Sequence, residues 1–343
     1  MKAAVIHGYG EAFDTIVYED VQTPAAGPGE LLIKVHASGV NHCDTDLRKG
    51  LFGVESPMPH VMGVDAAGAV ADVGAGVTGF SEGDRVAPHF MLSCGACGDC
   101  RDGRENLCMN AGVLGVTHWG GYAEYVRVRY DHVVRLPDSL SYEDAVAGQI
   151  PFATAWEALI EEIGLRAGET VLITAAGGGV GSAAVQIAKL AGARVVAAAG
   201  SEEKLEKARA LGADAAIDYT HEDIGNASRR LTDGRGVDAA LEMTGGAILV
   251  GAIDALAPGA RLATIGAHGG EQVEIDFIEF FRKHIAVHGC GRSTKTHVEQ
   301  VLGLMAEGHL APVIHQVFSL SEAPAAHALM ESRNFFGRMI MRP

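Results

Sequence analysis

A chain of 343 residues with 27 Lys plus Arg against 43 Asp plus Glu carries a net charge of −16. That balance excludes sequence-independent binding to nucleic acid, which needs a basic surface. At 48% hydrophobic and 20% charged residues the composition is that of a globular protein, and the length suits two domains.

In chain order, the opening MKAAVIHGYGEAF has one Lys and a short apolar stretch, which is not a secretory signal, so a cytoplasmic protein is expected. Residues 1–135 then read as short strands between Gly and Pro turns: AAVIH, ELLIKVHASGV, GAVADVG, DRVAP and YAEYVRV. This pattern predicts a β-rich, barrel-like unit. Inside it, Cys94, Cys97, Cys100 and Cys108 follow the spacing C-x2-C-x2-C-x7-C. In a long chain with no export signal, four thiolates so spaced suit one structural zinc, tetrahedral and closed, better than disulfides. Cys43 and Cys290 fall outside the spacing and read as ordinary small residues.

From about residue 150 strand and helix alternate. VLITAA leads to a helix from Gly181 to Leu190, ARVVAAA to a charged helix from Glu202 to Leu211, and AAIDY to a helix near Arg229. VDAALEM, a helix over 247–256 and RLATIGA complete the series. Such alternation predicts an α/β, doubly wound parallel sheet of Rossmann type. The apolar stretch from Val171 to Gly200 is cut by Gly177, Gly178, Gly179 and Gly181 and carries Lys189 and Arg194, so no membrane span is expected. A helix from His297 to Glu307 and the strand GRMIMRP return to the first domain. The expected boundaries are 1–150 with 293–343 for the first domain and 151–292 for the second.

VLITAAGGGVGSAAVQIAKLAGARVVAAAG contains a dinucleotide-binding turn. Ala176 stands at the first glycine of G-x-G-x-x-G, while Gly178 and Gly181 hold the others. Gly178, Gly179, Val180 and Gly181 would bring backbone and a helix N-terminus to a pyrophosphate. A Gly-rich turn alone is weak evidence; the surrounding βαβαβ pattern makes it strong. The second strand ends Ala198-Ala199-Gly200 with no acid to hold ribose hydroxyls, as an NAD site usually has. Ser201, Lys204 and Tyr219 could hold a 2′-phosphate instead, provided Glu202 and Glu203 turn away, so NADP(H) is expected. Ser201 is also a natural helix N-cap, and Lys204 could be a solvated helix charge.

Together these features resemble the zinc-containing alcohol dehydrogenases and quinone oxidoreductases of the medium-chain dehydrogenase/reductase superfamily. The resemblance covers essentially the whole chain, including VGAGVTGFSEGDRV, the four-cysteine lobe and GGYAEYV. It implies that the first domain is a GroES-like barrel, that the active site lies in a cleft between the domains, and that the protein is a homodimer or homotetramer. It also implies where a catalytic zinc would have its three ligands, and this chain lacks all of them. Gly39-Val40-Asn41-His42-Cys43-Asp44 has Asn41 at the first position, Gly63-Val64-Asp65 has Val64 at the second, and Ile150 takes the third. These residues look like those of the metal-free quinone oxidoreductases.

Without a Lewis acid to form an alkoxide, simple alcohols become poor substrates. A quinone or α,β-unsaturated carbonyl spreads the developing charge, and a few hydrogen bonds can stabilise it. The expected activity is NADPH-dependent reduction of such a small molecule. Asn41 is the candidate to orient the nicotinamide amide or substrate oxygen, though it also reads as a satisfied loop amide. Thr154 would pack on the nicotinamide ring, and Gly266 with Ala267 would offer backbone groups to its carboxamide. Asp44 could relay a proton or be a buried turn residue, and Phe52 stands where some enoyl reductases have Tyr. His42, His60, His89 and His118 read as structural. Two alternatives remain: a metal site rebuilt from Cys43, His60, Asp65 and His89, restoring an alcohol dehydrogenase, and a non-enzymatic NADPH-binding protein.

Overall fold

The computed structural model describes residues 1–343, which divide into two compact units, Met1–Ile150 with Thr294–Pro343 and Pro151–Ser293. In the first unit, β1 (Lys2–Ile6) is the middle strand of a three-stranded sheet, between Ile16–Asp20 and His60–Val61. The opening residues are therefore part of the core. The main sheet is built on β2 (Glu30–Gly39), which is buried along most of its length, only Lys34 and His36 being exposed, and leads directly into α1 (His42–Arg48). β3 (Ala66–Val73) and β4 (Tyr125–Arg129) both pair antiparallel with β2. Leu31, Ile33, Val70 and Val126 close one side of the sheet into an apolar cluster. Burying each such side chain contributes about 1.5–3 kcal/mol.

α2 (Tyr142–Trp156) runs through the division at Ile150–Pro151 and widens into a π-helical turn at Glu157–Glu162. The sequence pattern does not reveal this helix: it is apolar nearly all round, and Pro151 lies inside it, where a proline normally argues for a break.

The second unit alternates as expected. β5 (Thr170–Ile173), α3 (Gly179–Leu190), β6 (Arg194–Ala199), α4 (Glu202–Ala210) and β7 (Ala215–Asp218) form its first half. α5 (Ile224–Leu231), β8 (Val237–Glu242), α6 (Gly246–Asp254), β9 (Leu256–Thr264), α7 (Phe277–Arg282) and β10 (Ala286–Gly289) form the second. The strands lie in the order β7-β6-β5-β8-β9-β10, all parallel, the doubly wound arrangement with its crossover beside β5. β5, β6 and β8 are near-continuous apolar runs because helices cover both faces of the sheet. The apolar stretch 171–200 is thus strand, helix and strand, and no helix is long and apolar enough to cross a membrane.

The chain re-enters the first unit at α8 (Lys295–Ala306), followed by β11 (Ile314–Ser319), α9 (Ala323–Ser332) and β12 (Arg338–Arg342). β12 sits between β2 and β11, pairing antiparallel with the first and parallel with the second.

Candidate functional site

The four cysteines come together as the spacing implies. Their sulfur atoms all lie within 4.8 Å of one another, with Cys94–Cys108 at 3.6 Å and Cys94–Cys100 and Cys97–Cys108 each at 3.9 Å. Four sulfurs at about 2.3 Å from a zinc form a tetrahedron of edge about 3.8 Å, close to these three separations, so the lobe fits the ion. Backbone N–H groups of Cys94 and Cys97 donate to Cys108 Sγ and Cys94 Sγ, the usual support for thiolate ligands. Glu105 accepts from the Lys295 N–H and so ties the lobe to the first turn of α8.

In the second unit the carboxyl ends of the parallel strands gather the candidate cofactor residues. After β5, Ala175 takes φ +45° and Gly178 caps α3 in extended backbone. A Cβ on Gly181 would come 2.2 Å from the Ala175 carbonyl oxygen, so only glycine lets α3 start this close to the turn. α3 begins at Gly179, so the N–H groups of Gly179, Val180 and Gly181 fall in its first turn and lack intrahelical acceptors.

At the tip of β6, Ser201 is the N-cap of α4, yet its side chain makes no capping hydrogen bond. Lys204 lies back across the turn: a Cβ on Gly177 would come 2.7 Å from Lys204 Cδ. The Tyr219 hydroxyl would meet a Cβ on Gly200 at 3.1 Å, so both side chains border the same tip. Glu202 and Glu203 pair along α4 with Arg209 at 2.5 Å and Lys207 at 2.7 Å.

The loops after β8 and β9 touch. Gly266 leaves room for the Met243 carbonyl, which a Cβ would approach to 2.6 Å, and Ala267 lies against Gly245. Glu242, fully buried at the end of β8, holds this junction through the N–H groups of Thr244 at 2.6 Å and Gly245 at 2.9 Å. Burial raises its pKa despite these donors. Thr154 is buried on α2, one turn before Glu157. Burial, then the charge of Glu162, pushes Glu157 up to about 7.

The first unit contains a buried polar network that the sequence reading saw only in part. Arg338 on β12 donates to Asp65 Oδ2 at 2.6 Å, to Asn41 Oδ1 at 2.7 Å and to the Val40 carbonyl at 2.8 Å. Asp65 also accepts from the Gly39 N–H at 2.7 Å and from Asn41 Nδ2 at 3.2 Å. Asn41 spends its oxygen on Arg338 and one N–H on Asp65, leaving a second N–H with only a 3.5 Å approach to Asp44 Oδ2. Asp44 accepts from the Asn41 N–H at 2.9 Å, the Val64 N–H at 3.2 Å and the Tyr122 hydroxyl at 3.2 Å. His327 lies 3.2 Å behind that hydroxyl. Burial, then the charge of Asp65, pushes Asp44 up to about 7.

Arg338, Tyr122 and His327 were not singled out by the sequence. The only available signal was that Asp65, in a strand-edge phrase of small apolar residues, needs a cation. Phe52 packs on the apolar cluster that contains Tyr122 and Met339. Cys43, His60, Asp65 and His89 are not gathered as one set of potential ligands. Asp65 is closed by Arg338, His60 Nε2 lies 3.0 Å from the Gly115 carbonyl, and the four cysteines are the only set of three or more potential ligands brought together.

Comparison with known proteins places these features. Residues 27–138 match the alcohol dehydrogenase GroES-like domain and residues 179–307 the zinc-binding dehydrogenase domain. The quinone oxidoreductase of Sus scrofa is 32% identical over 99% of this chain and 97% of its own. Among solved structures, an NAD-dependent alcohol dehydrogenase is 40% identical with TM-score 0.96 over 100% of both chains. A crotonyl-CoA carboxylase/reductase in complex with NADP is 25% identical with TM-score 0.91, over 100% of this chain and 94% of its own. With a parallel nucleotide-binding sheet, a GroES-like unit and identity along its full length, the chain belongs to the medium-chain dehydrogenase/reductase family and is an oxidoreductase.

Proposed function

We propose that this oxidoreductase uses NADPH to reduce quinones or α,β-unsaturated carbonyls without a catalytic metal, its one zinc being structural. The observation that carries the reading is the closed network around Asn41: Asn41, Val64 and Ile150 stand where zinc ligands are expected, and Arg338 occupies Asp65. Bound NADPH supplies a hydride. Roles divide by unit. In the second, Gly178, Gly179, Val180 and Gly181 take the pyrophosphate, and Ser201, Lys204 and Tyr219 the 2′-phosphate. Thr154 packs on the nicotinamide, and Gly266 with Ala267 hold its carboxamide. In the first, the Asn41 N–H held only by the 3.5 Å contact to Asp44 Oδ2 stabilises negative charge on the acceptor oxygen, and Asp44, at about 7, holds a proton for it near neutral pH.

The test pairs zinc analysis with a substrate screen. One zinc per chain, with NADPH-dependent turnover of quinones or enones that survives a chelator, is the expected result. Two zincs per chain and chelator-sensitive oxidation of simple alcohols would sink the reading and make the protein an alcohol dehydrogenase. NADPH binding with no turnover of any acceptor would point to a non-enzymatic role.

The assembly we infer is a homodimer through β10. That strand is the edge of its sheet, with Val287 exposed and Phe277, Ile278 and Phe281 exposed on the neighbouring α7. An apolar, unpaired edge of this kind invites pairing with a second copy.

A further inference from the structure

We infer that Tyr122 is the positioning residue for the Asp44 carboxyl, held to that task by a hydrogen bond from His327. The inference adds to the reading of Asp44 as proton source, and it rests on that reading only for its kinetic consequence.

Asp44 has no exposed surface, and both of its oxygens accept from protein groups. Oδ2 receives the Asn41 backbone N–H, the Tyr122 hydroxyl and, at 3.5 Å, the Asn41 side-chain amide, whereas Oδ1 receives only the Val64 N–H. A tyrosine hydroxyl has one proton to give. It can give that proton to Asp44 without competition only if His327 is a donor rather than an acceptor. Two observations make it one. His327 is fully buried and its Nδ1 has no partner, so a proton there would be an orphaned donor, the rarer and costlier arrangement. Burial, reinforced by Arg48, also takes its pKa down to about 3, so the ring carries a single proton. With that proton on Nε2, the line runs in one direction, from His327 to the Tyr122 oxygen and from the Tyr122 hydroxyl to Asp44 Oδ2. Burial keeps the phenol protonated, so the donor is present at any working pH.

The consequence is an asymmetric carboxyl. Oδ2 is saturated by donors, and a proton bound by Asp44 is left to Oδ1. The other groups facing Asp44 are Cys43 on the same helix, Asp65 from the start of β3 and Arg338 from β12. Asp65 raises its proton affinity, while Arg338 and Tyr122 lower it. Removing the hydroxyl therefore leaves Asp44 binding its proton more tightly.

Tyr122 is also a packing residue, its ring edge-on to His327 at 5.7 Å, so the test must separate hydroxyl from ring. Tyr122→Phe keeps the ring, His327→Gln keeps an N–H donor and His327→Leu keeps neither donor nor acceptor. Infrared spectra of the full chain across pH follow the protonated carboxyl band directly, with the Asp44 component assigned by its loss in Asp44→Asn. In Tyr122→Phe the Asp44 midpoint should rise by about one pH unit. It should rise part of the way in His327→Leu and stay near the wild-type value in His327→Gln. An unchanged midpoint in Tyr122→Phe, with only a lower Tm, would reduce Tyr122 to packing and overturn the inference. The pH profile of kcat/KM should move in parallel. If the infrared midpoint moves and the kinetic profile does not, the positioning role stands and the proton-source reading falls.

Discussion

Arg338 supplies the cation for the Asp65 carboxylate and a donor for the amide oxygen of Asn41 inside the first unit. Replacing it by Met leaves Asp65 buried and unpaired, which costs about 3–5 kcal/mol. Urea unfolding should show that loss, and Asp65→Asn with Arg338→Met together should recover part of it. Lys204 makes a second prediction of the same kind. Charge-assisted bonds to a phosphate contribute about 1.5–3 kcal/mol, so Lys204→Ala should raise the KM for NADPH about 10–100-fold. Its KM for NADH should stay unchanged; an equal rise for both cofactors would count against the 2′-phosphate role. At this scale the sequence is legible where chemistry is local. The cysteine spacing, the glycine turn and the acid-free tip of β6 are each read within a few residues. Arg338 is not, because 273 residues separate it from Asp65, and one sequence offers no sign that two such distant charges meet.

Elements show the same division between local and tertiary signals. The strands of the second unit announce themselves because burial on both faces demands unbroken apolar runs. α2 does not, because an apolar helix with an internal proline has no periodicity to read, and only its surroundings keep it helical. The start of α3 depends on one atom's absence. Gly181→Ala would press a methyl group into the Ala175 carbonyl oxygen and should abolish measurable dinucleotide binding, followed by fluorescence of the reduced cofactor. The cysteine lobe should depend on a bound ion, since Cys108 is the only residue of Cys94–Cys108 that is buried. Stripping the zinc should remove hydrogen-exchange protection over residues 94–108 and, through Glu105, in the first turn of α8.

Across the whole molecule, stability answers to two groups on one hydrogen-bonded line with opposite signs. Asp44, at about 7, lies above its unfolded value, so the stability it contributes is present at low pH and is lost as pH rises from about 4 to about 7. His327, at about 3, lies below its unfolded value, so its contribution is lost as pH falls from about 6.5. Plots of unfolding free energy against pH for Asp44→Asn and His327→Gln should therefore tilt in opposite directions relative to wild type. Val287→Lys should turn the inferred dimer into monomer by sedimentation, without changing the cysteine lobe.

β12 also governs the order in which the molecule can be made. It is an inner strand of the first unit's main sheet and carries the guanidinium that neutralises Asp65, yet it follows the entire nucleotide-binding unit in the chain. On the ribosome, Pro151–Ser293 can therefore fold while residues 1–150 wait with their sheet unfinished and Asp65 unanswered. The half that emerges first is the half completed last, and during synthesis it is the one that needs shelter from aggregation.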